Sequence, residues 1–149
     1  MDRSEQAVAK FVSGYNCAQS VLFAFCEDIG LDKNEALKIT CGFGAGMGRK
    51  EEVCGAVTGG IMAIGLKHGR GENETQKATE ITYAKVRELM NLFSEKHGSY
   101  LCRQLLNGCD LSNDEGHKLY LANDYRNKVC KPCVQSVVEI VEEIMNALP

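Results

Sequence analysis

The chain of 149 residues carries 17 Lys and Arg against 20 Asp and Glu, for a formal net charge of -3 with no basic block, which argues against nucleic acid as its partner. Hydrophobic residues make up 44% of it, with two Pro and no Trp, enough for one domain to bury a core without disulfide staples. Its longest apolar run, residues 53–66, is about 14 long, whereas a bilayer span takes ~20, so membrane insertion is not expected.

Taken in order, the segments repeat with helical period, and no alternating stretch is long enough for a strand. The expected fold is all-α: a single domain over residues 1–149, a multi-helix bundle with a Gly-rich loop between helices. A short helix over residues 4–12 ends at Gly14, and a second over residues 16–28 ends before Gly30. Asp32 with Glu35 reads as a capping box opening a helix to about Cys41. There Gly42, Gly44, Gly46 and Gly48 predict a flexible loop. A helix from near Val53 should end at His68-Gly69. A long one over residues 72–96 follows, with Tyr83, Val86, Met90 and Phe93 on its buried stripe, and Gly98 stops it.

Residues 99–129 are less regular. They hold a short helix over residues 102–106, an Asn107-Gly108 turn and a second capping box at Ser112 and Glu115. The last helix is the clearest: Val134, Val137, Val138, Val141, Ile144, Met145 and Leu148 form one stripe, with Glu139, Glu142 and Glu143 turned away.

Eight cysteines carry the functional signal. Their density is below the ~8–10% of small disulfide scaffolds, and the opening MDRSEQ lacks the charged-then-apolar run of a signal peptide. A reduced, cytoplasmic setting is therefore expected, where cysteines more often bind metal or exchange electrons. Cys17, Cys54, Cys102 and Cys130 each open a segment that reads as a helix start or tight turn. Unpaired N–H groups at a helix start favour a thiolate, which marks Cys17 and Cys54 as reactive candidates. Cys26 lies half a turn from Cys17, in an apolar run, and is assigned to packing.

Gly55, Gly59 and Ala63 recur every four residues and leave one helix face nearly bare, for close approach of another backbone or of a cofactor. Such faces often pack across subunits, which makes a homodimer an option. The Gly42–Arg49 stretch matches neither G-x-G-x-x-G nor a P-loop ending, although Arg49 could meet an anion. Cys130-Lys131-Pro132-Cys133 has the spacing of a metal clip or a dithiol couple, without the βαβ context of a thioredoxin fold. His68, His97 and His117 read as helix-end or surface residues rather than ligands or bases.

The motifs Tyr15-Asn16-Cys17-Ala18-Gln19-Ser20-Val21, Gly42-Phe43-Gly44-Ala45-Gly46-Met47-Gly48, Cys54-Gly55-Ala56-Val57-Thr58-Gly59-Gly60, Cys102-Arg103-Gln104-Leu105-Leu106 and Cys130 together resemble the C_GCAxxG_C_C family of redox-active proteins. The resemblance covers nearly the whole chain. It implies that the four family cysteines are Cys17, Cys54, Cys102 and Cys130, and that the small-residue motif is Cys54, Gly55, Ala56 and Gly59. Cys26, Cys41, Cys109 and Cys133 fall outside that set. A related domain occurs in split-Soret cytochrome, but this chain has no Cys-x-x-Cys-His, so redox chemistry without haem is implied.

The leading expectation is an iron–sulfur cluster on Cys17, Cys54, Cys102 and Cys130, with Gly55, Ala56 and Gly59 beside the cofactor and a redox partner whose identity is not written in the sequence. The alternatives are thiol–disulfide exchange led by Cys17 or Cys54, a zinc-stabilised module on the same four cysteines, and a helical interaction protein with buried thiols.

Overall fold

The structure, a computed structural model, describes residues 1–147. Its helices are α1 (Arg3–Val12), α2 (Cys17–Ile29), α3 (Lys33–Thr40), α4 (Gly44–Met47, a single turn whose inner residues are left-handed), α5 (Gly55–His68), α6 (Gln76–His97), α7 (Cys102–Leu105), α8 (Asp114–Ala122) and α9 (Lys131–Asn146). A 3-10 turn, Cys41–Phe43, and a π-helical turn, Arg126–Cys130, complete it. The all-α expectation holds: the one β-type pairing among the described residues is an isolated antiparallel bridge between Val53 and Leu101. No helix among them is long and apolar enough to cross a membrane.

Helix α5 is the axis of the fold. Its first turns, residues 55–60, are buried on every side, with α2, α6 and α9 packed around the helix and α1 laid against α2 and α9. Its glycines make the closest packing possible. A Cβ on Gly59 would stand 2.8 Å from the Ala18 carbonyl oxygen of α2, and one on Gly55 3.2 Å from the Ala18 nitrogen. Gly60 faces the other way, toward Val137 of α9 and Leu89 of α6. Around this axis Val134, Val137, Val138, Val141 and Ile144 of α9 are buried, as their stripe predicts. Each contributes roughly 1.5–3 kcal/mol of burial. Leu148 lies outside the described residues.

Helix ends follow local chemistry. Asp2 with Glu5 and Asn16 with Gln19 form reciprocal capping boxes, and Gly30 and Gly98 close α2 and α6 in the left-handed region. Four expectations need correction. Helix α6 starts at Gln76 rather than 72, because Glu74 closes onto the Gly71 N–H at 3.0 Å and Thr75 supplies the cap. Tyr83 is 56% exposed, since it sits roughly 100° round the helix from the fully buried Leu89 and Phe93. The cap of α8 is Asn113, which accepts the Gly116 N–H at 2.7 Å, while Ser112 donates to Asp110.

The fourth correction concerns the Gly-rich stretch, which takes the form of a left-handed turn rather than an irregular loop. From Ala45 through Arg49 every residue has positive φ: 52°, 67°, 71°, 59° and 66°. Left-handed backbone costs roughly 1–2 kcal/mol at each non-glycine position, so three of these residues are strained. The turn is held by the Glu51 N–H on the Ala45 carbonyl at 3.1 Å and the Glu52 N–H on the Gly46 carbonyl at 2.9 Å. A Cβ on Gly46 would come within 2.6 Å of the Glu51 Cα, so both its φ and its neighbours require glycine.

Candidate functional site: a cavity lined by six cysteines

One cavity of about 420 Å³ is lined by Cys17, Cys41, Cys54, Cys102, Cys130 and Cys133. The fold thus gathers all four family cysteines and adds two others. Each arrives on a different local device. Cys17 is the first residue of α2, behind the Asn16 cap, and Cys54 is the cap residue of α5. Cys102 opens α7, and Cys130 ends the π turn that runs directly into α9. Cys133 lies in the first turn of α9.

The Val53–Leu101 bridge sets two of these cysteines side by side. The Cys54 N–H donates to the Tyr100 carbonyl at 2.8 Å, and the Cys102 N–H to the Glu52 carbonyl at 2.7 Å. Arg103 secures the bridge by reaching the Glu51 carbonyl at 3.2 Å and the Glu52 carboxylate at 2.7 Å.

All eight cysteines are free, and of the six in the cavity four act on one another in twos, Cys17 with Cys130 and Cys54 with Cys133. Side-chain hydrogen bonding with Cys17 draws the Cys130 thiol down to about 7; the Tyr120 hydroxyl, which donates to the Cys130 sulfur at 3.6 Å, and the Arg126 charge act in the same sense against burial. Cys17 is pushed well up by the same hydrogen bond and by burial. At the start of α2 it is Asn16 that takes the capping role, its side chain accepting the Gln19 N–H at 2.9 Å.

Cys54 and Cys133 form the second pair. Hydrogen bonding with Cys133 lowers the Cys54 thiol, and the backbone N–H groups of Ala56 and Val57 at the start of α5 lower it further. Cys133 moves up as the donor, with burial adding to the effect. Cys102 is also pushed up, chiefly by burial and then by the charges of Cys54 and Cys130. In each pair the shared hydrogen bond lowers one sulfur and raises the other.

Cys26 and Cys109 stand apart. Cys26 is buried and its thiol donates to the Leu22 carbonyl at 3.4 Å, while the Cys109 thiol donates to the Gly116 carbonyl at 2.9 Å in a small cluster with Cys102 and Leu106. Of the small residues expected beside a cofactor, Gly55 lines the cavity, while Ala56 is buried in the core and Gly59 faces α2. His117 lines the cavity, its ring stacked near Tyr120, whereas His97 pairs with Ser136 at 2.9 Å. Tyr120 and Arg126 were missed from the sequence, and Cys133 was singled out there only as the end of the Cys130–Cys133 spacing. The signal for Cys133 was present, because residues three apart on a helix share a face.

Among the described residues no three Cys, His, Asp or Glu side chains are grouped to hold a metal ion. The sulfurs in their present positions do not form the ligand set that an iron–sulfur cluster or zinc ion requires.

A protein of Archaeoglobus fulgidus described as uncharacterized is 28% identical over 132 residues, spanning 84% of this chain and 81% of its own. No solved structure matches. The family model described as "Putative redox-active protein (C_GCAxxG_C_C)" matches residues 15–144, and the chain belongs to that family.

Proposed function

We propose that this protein is a dithiol redox protein in which Cys17–Cys130 and Cys54–Cys133 work as thiol–disulfide couples. The observation that supports this reading most is the gathering of Cys17, Cys54, Cys130 and Cys133 on one cavity, where hydrogen bonding draws Cys130 and Cys54 down and Cys17 and Cys133 up. A low-pKa sulfur beside a resolving cysteine is what disulfide exchange needs.

The step balances as follows. The Cys130 thiolate attacks one sulfur of an acceptor disulfide, forming a mixed disulfide and releasing one acceptor thiolate. Cys17 then gives up its proton and attacks the Cys130 sulfur, closing a Cys17–Cys130 disulfide and releasing the second acceptor sulfur. The acceptor gains two electrons, the cysteine pair loses two, and the Cys17 proton leaves with one of the released thiols. An external dithiol reverses the change.

A second reading is the iron–sulfur cluster for electron transfer, with zinc on the same residues as its structural variant. It is supported by the convergence of Cys17, Cys54, Cys102 and Cys130 on one cavity, and it requires those side chains to regroup.

Anaerobic purification followed by an absorbance spectrum and iron, zinc and sulfide assays separates the readings. The dithiol reading expects a colourless, metal-free protein that loses thiols two at a time to a disulfide and regains them with a dithiol. Visible absorption with stoichiometric iron and sulfide would replace it with the cluster, and stoichiometric zinc alone with the structural module.

A further inference from the structure

The cavity's charge is at odds with that of the chain. The whole protein is net acidic, yet no Asp or Glu lines the cavity, whereas Arg49 and Arg126 both do. Neither arginine joins an ion pair among the described residues. Glu51 stands close enough to influence Cys102, but its carboxylate is occupied by the Leu111 N–H at 2.6 Å.

The two arginines are held differently. Arg126 stacks on the Phe11 ring, 3.9 Å from its centroid, and donates to the carbonyls of Phe11 and Tyr15, the latter at 3.3 Å. It lies beside Cys130, whose thiolate it offsets. Arg49 is different, since it is exposed, forms no ion pair among the described residues, and also borders a surface groove that holds Glu51 and Asp110. It is placed there by the strained left-handed turn, and its own φ of 66° is part of the strain. Strain of this kind persists where the surroundings impose it and clusters at ligand sites. A volume of about 420 Å³ falls in the range that holds small molecules rather than a protein segment.

We infer that the cavity binds a small anionic disulfide, with a carboxylate at Arg49 and the sulfur–sulfur bond directed inward to Cys130. The inference rests on the dithiol reading for its chemistry, while the anion site stands on the arginines and the cavity. Arg49 is here a specificity-determining residue. It attracts the charged end that would otherwise be repelled by the thiolates deeper in the site.

Two measurements test this separately from the redox reading. In the first, the fully reduced protein is mixed at low ionic strength with dithiodipropionate, dithiodiethanol or cystamine, which are anionic, neutral and cationic. Each rate is divided by that of mercaptoethanol with the same disulfide, to remove intrinsic reactivity. The anion should exceed the neutral compound by about tenfold, with the cation slowest, as one charge-assisted contact implies. Arg49→Gln should raise the half-saturating concentration for dithiodipropionate and bring the ratio of its rate to that of dithiodiethanol to about one, while Arg87→Gln, on the exposed side of α6, leaves that ratio as it is in the wild type.

In the second, calorimetry follows binding of suberate, which has the length and charge of dithiodipropionate and no disulfide. Binding to the wild type that is lost in Arg49→Gln supports the anion site even if no disulfide is consumed, in which case the dithiol reading alone fails. Equal normalised rates for the three disulfides together with no suberate binding overturn the inference and leave the dithiol reading in place. A preference for cystamine overturns it as well.

Discussion

The hydroxyl of Tyr120, on α8, donates a hydrogen bond to the sulfur of Cys130 at 3.6 Å. It is a neutral donor feeding a thiolate. The arrangement holds Tyr120 itself in its protonated form, since burial and the neighbouring Cys130 charge push its ionisation well up. Tyr120→Phe removes the donor and keeps the ring. A hydrogen bond to a charged group is worth about 1.5–3 kcal/mol, so the midpoint of Cys130 alkylation should rise by roughly one to two pH units. A midpoint that stays in place would assign the thiolate to Cys17 and Arg126 alone.

Cys133→Ala takes the side-chain donor from Cys54 and leaves the Ala56 and Val57 amides in place. Alkylation of Cys54 at neutral pH should slow several-fold, while Cys130, served by its own partners, keeps its rate. Peptide-resolved mass spectrometry of a timed alkylation reads both sites at once. Equal slowing at both would show that the pairs are not independent.

The pH dependence has a definite sign. The groups acting on Cys130 are Cys17 from α2, Tyr120 from α8 and Arg126 from the π turn. Cys54 and Cys102 lie in the same cavity. Because Cys130 is drawn down to about 7, its reactivity should be nearly full at pH 8 and fall as pH drops through 7. An ordinary thiol is half-ionised only near ~8.5. A stopped-flow profile of disulfide consumption with its midpoint near that ordinary value would contradict the arrangement.

The α2–α5 contact predicts opposite outcomes at two glycines of one helix. Gly59→Ala puts a methyl 2.8 Å from the Ala18 carbonyl, on backbone that cannot yield, and should cost about 1–3 kcal/mol. Gly65→Ala meets nothing within 4 Å, and should stabilise by roughly 0.5–1 kcal/mol through helix propensity. Chemical denaturation of the two variants checks the pair.

The helices were legible because their ends are written locally. Asp2, Asn16 and Asp32 cap what their side chains allow, and the α9 stripe has one period throughout. Convergence of Cys17, Cys54, Cys102 and Cys130 followed from the family resemblance rather than from spacing. What sequence alone did not show depends on tertiary contacts. The left-handed run from Ala45 to Arg49 exists because Glu51 and Glu52 bond back across it, and a Gly-rich string has no local preference for that shape. A helix start read from sequence also says nothing of neighbouring sulfurs, and the Cys130 sulfur that acts on Cys17 is brought there by the tertiary fold.

The central claim is the pairing, and disulfide mapping tests it most directly. The anaerobically reduced protein is oxidised with a small disulfide, quenched in acid and digested for mass spectrometry. The account predicts Cys17–Cys130 and Cys54–Cys133 links, with Cys26 and Cys109 still free. A dominant Cys130–Cys133 link, or thiols that resist oxidation because iron or zinc holds them, would contradict it.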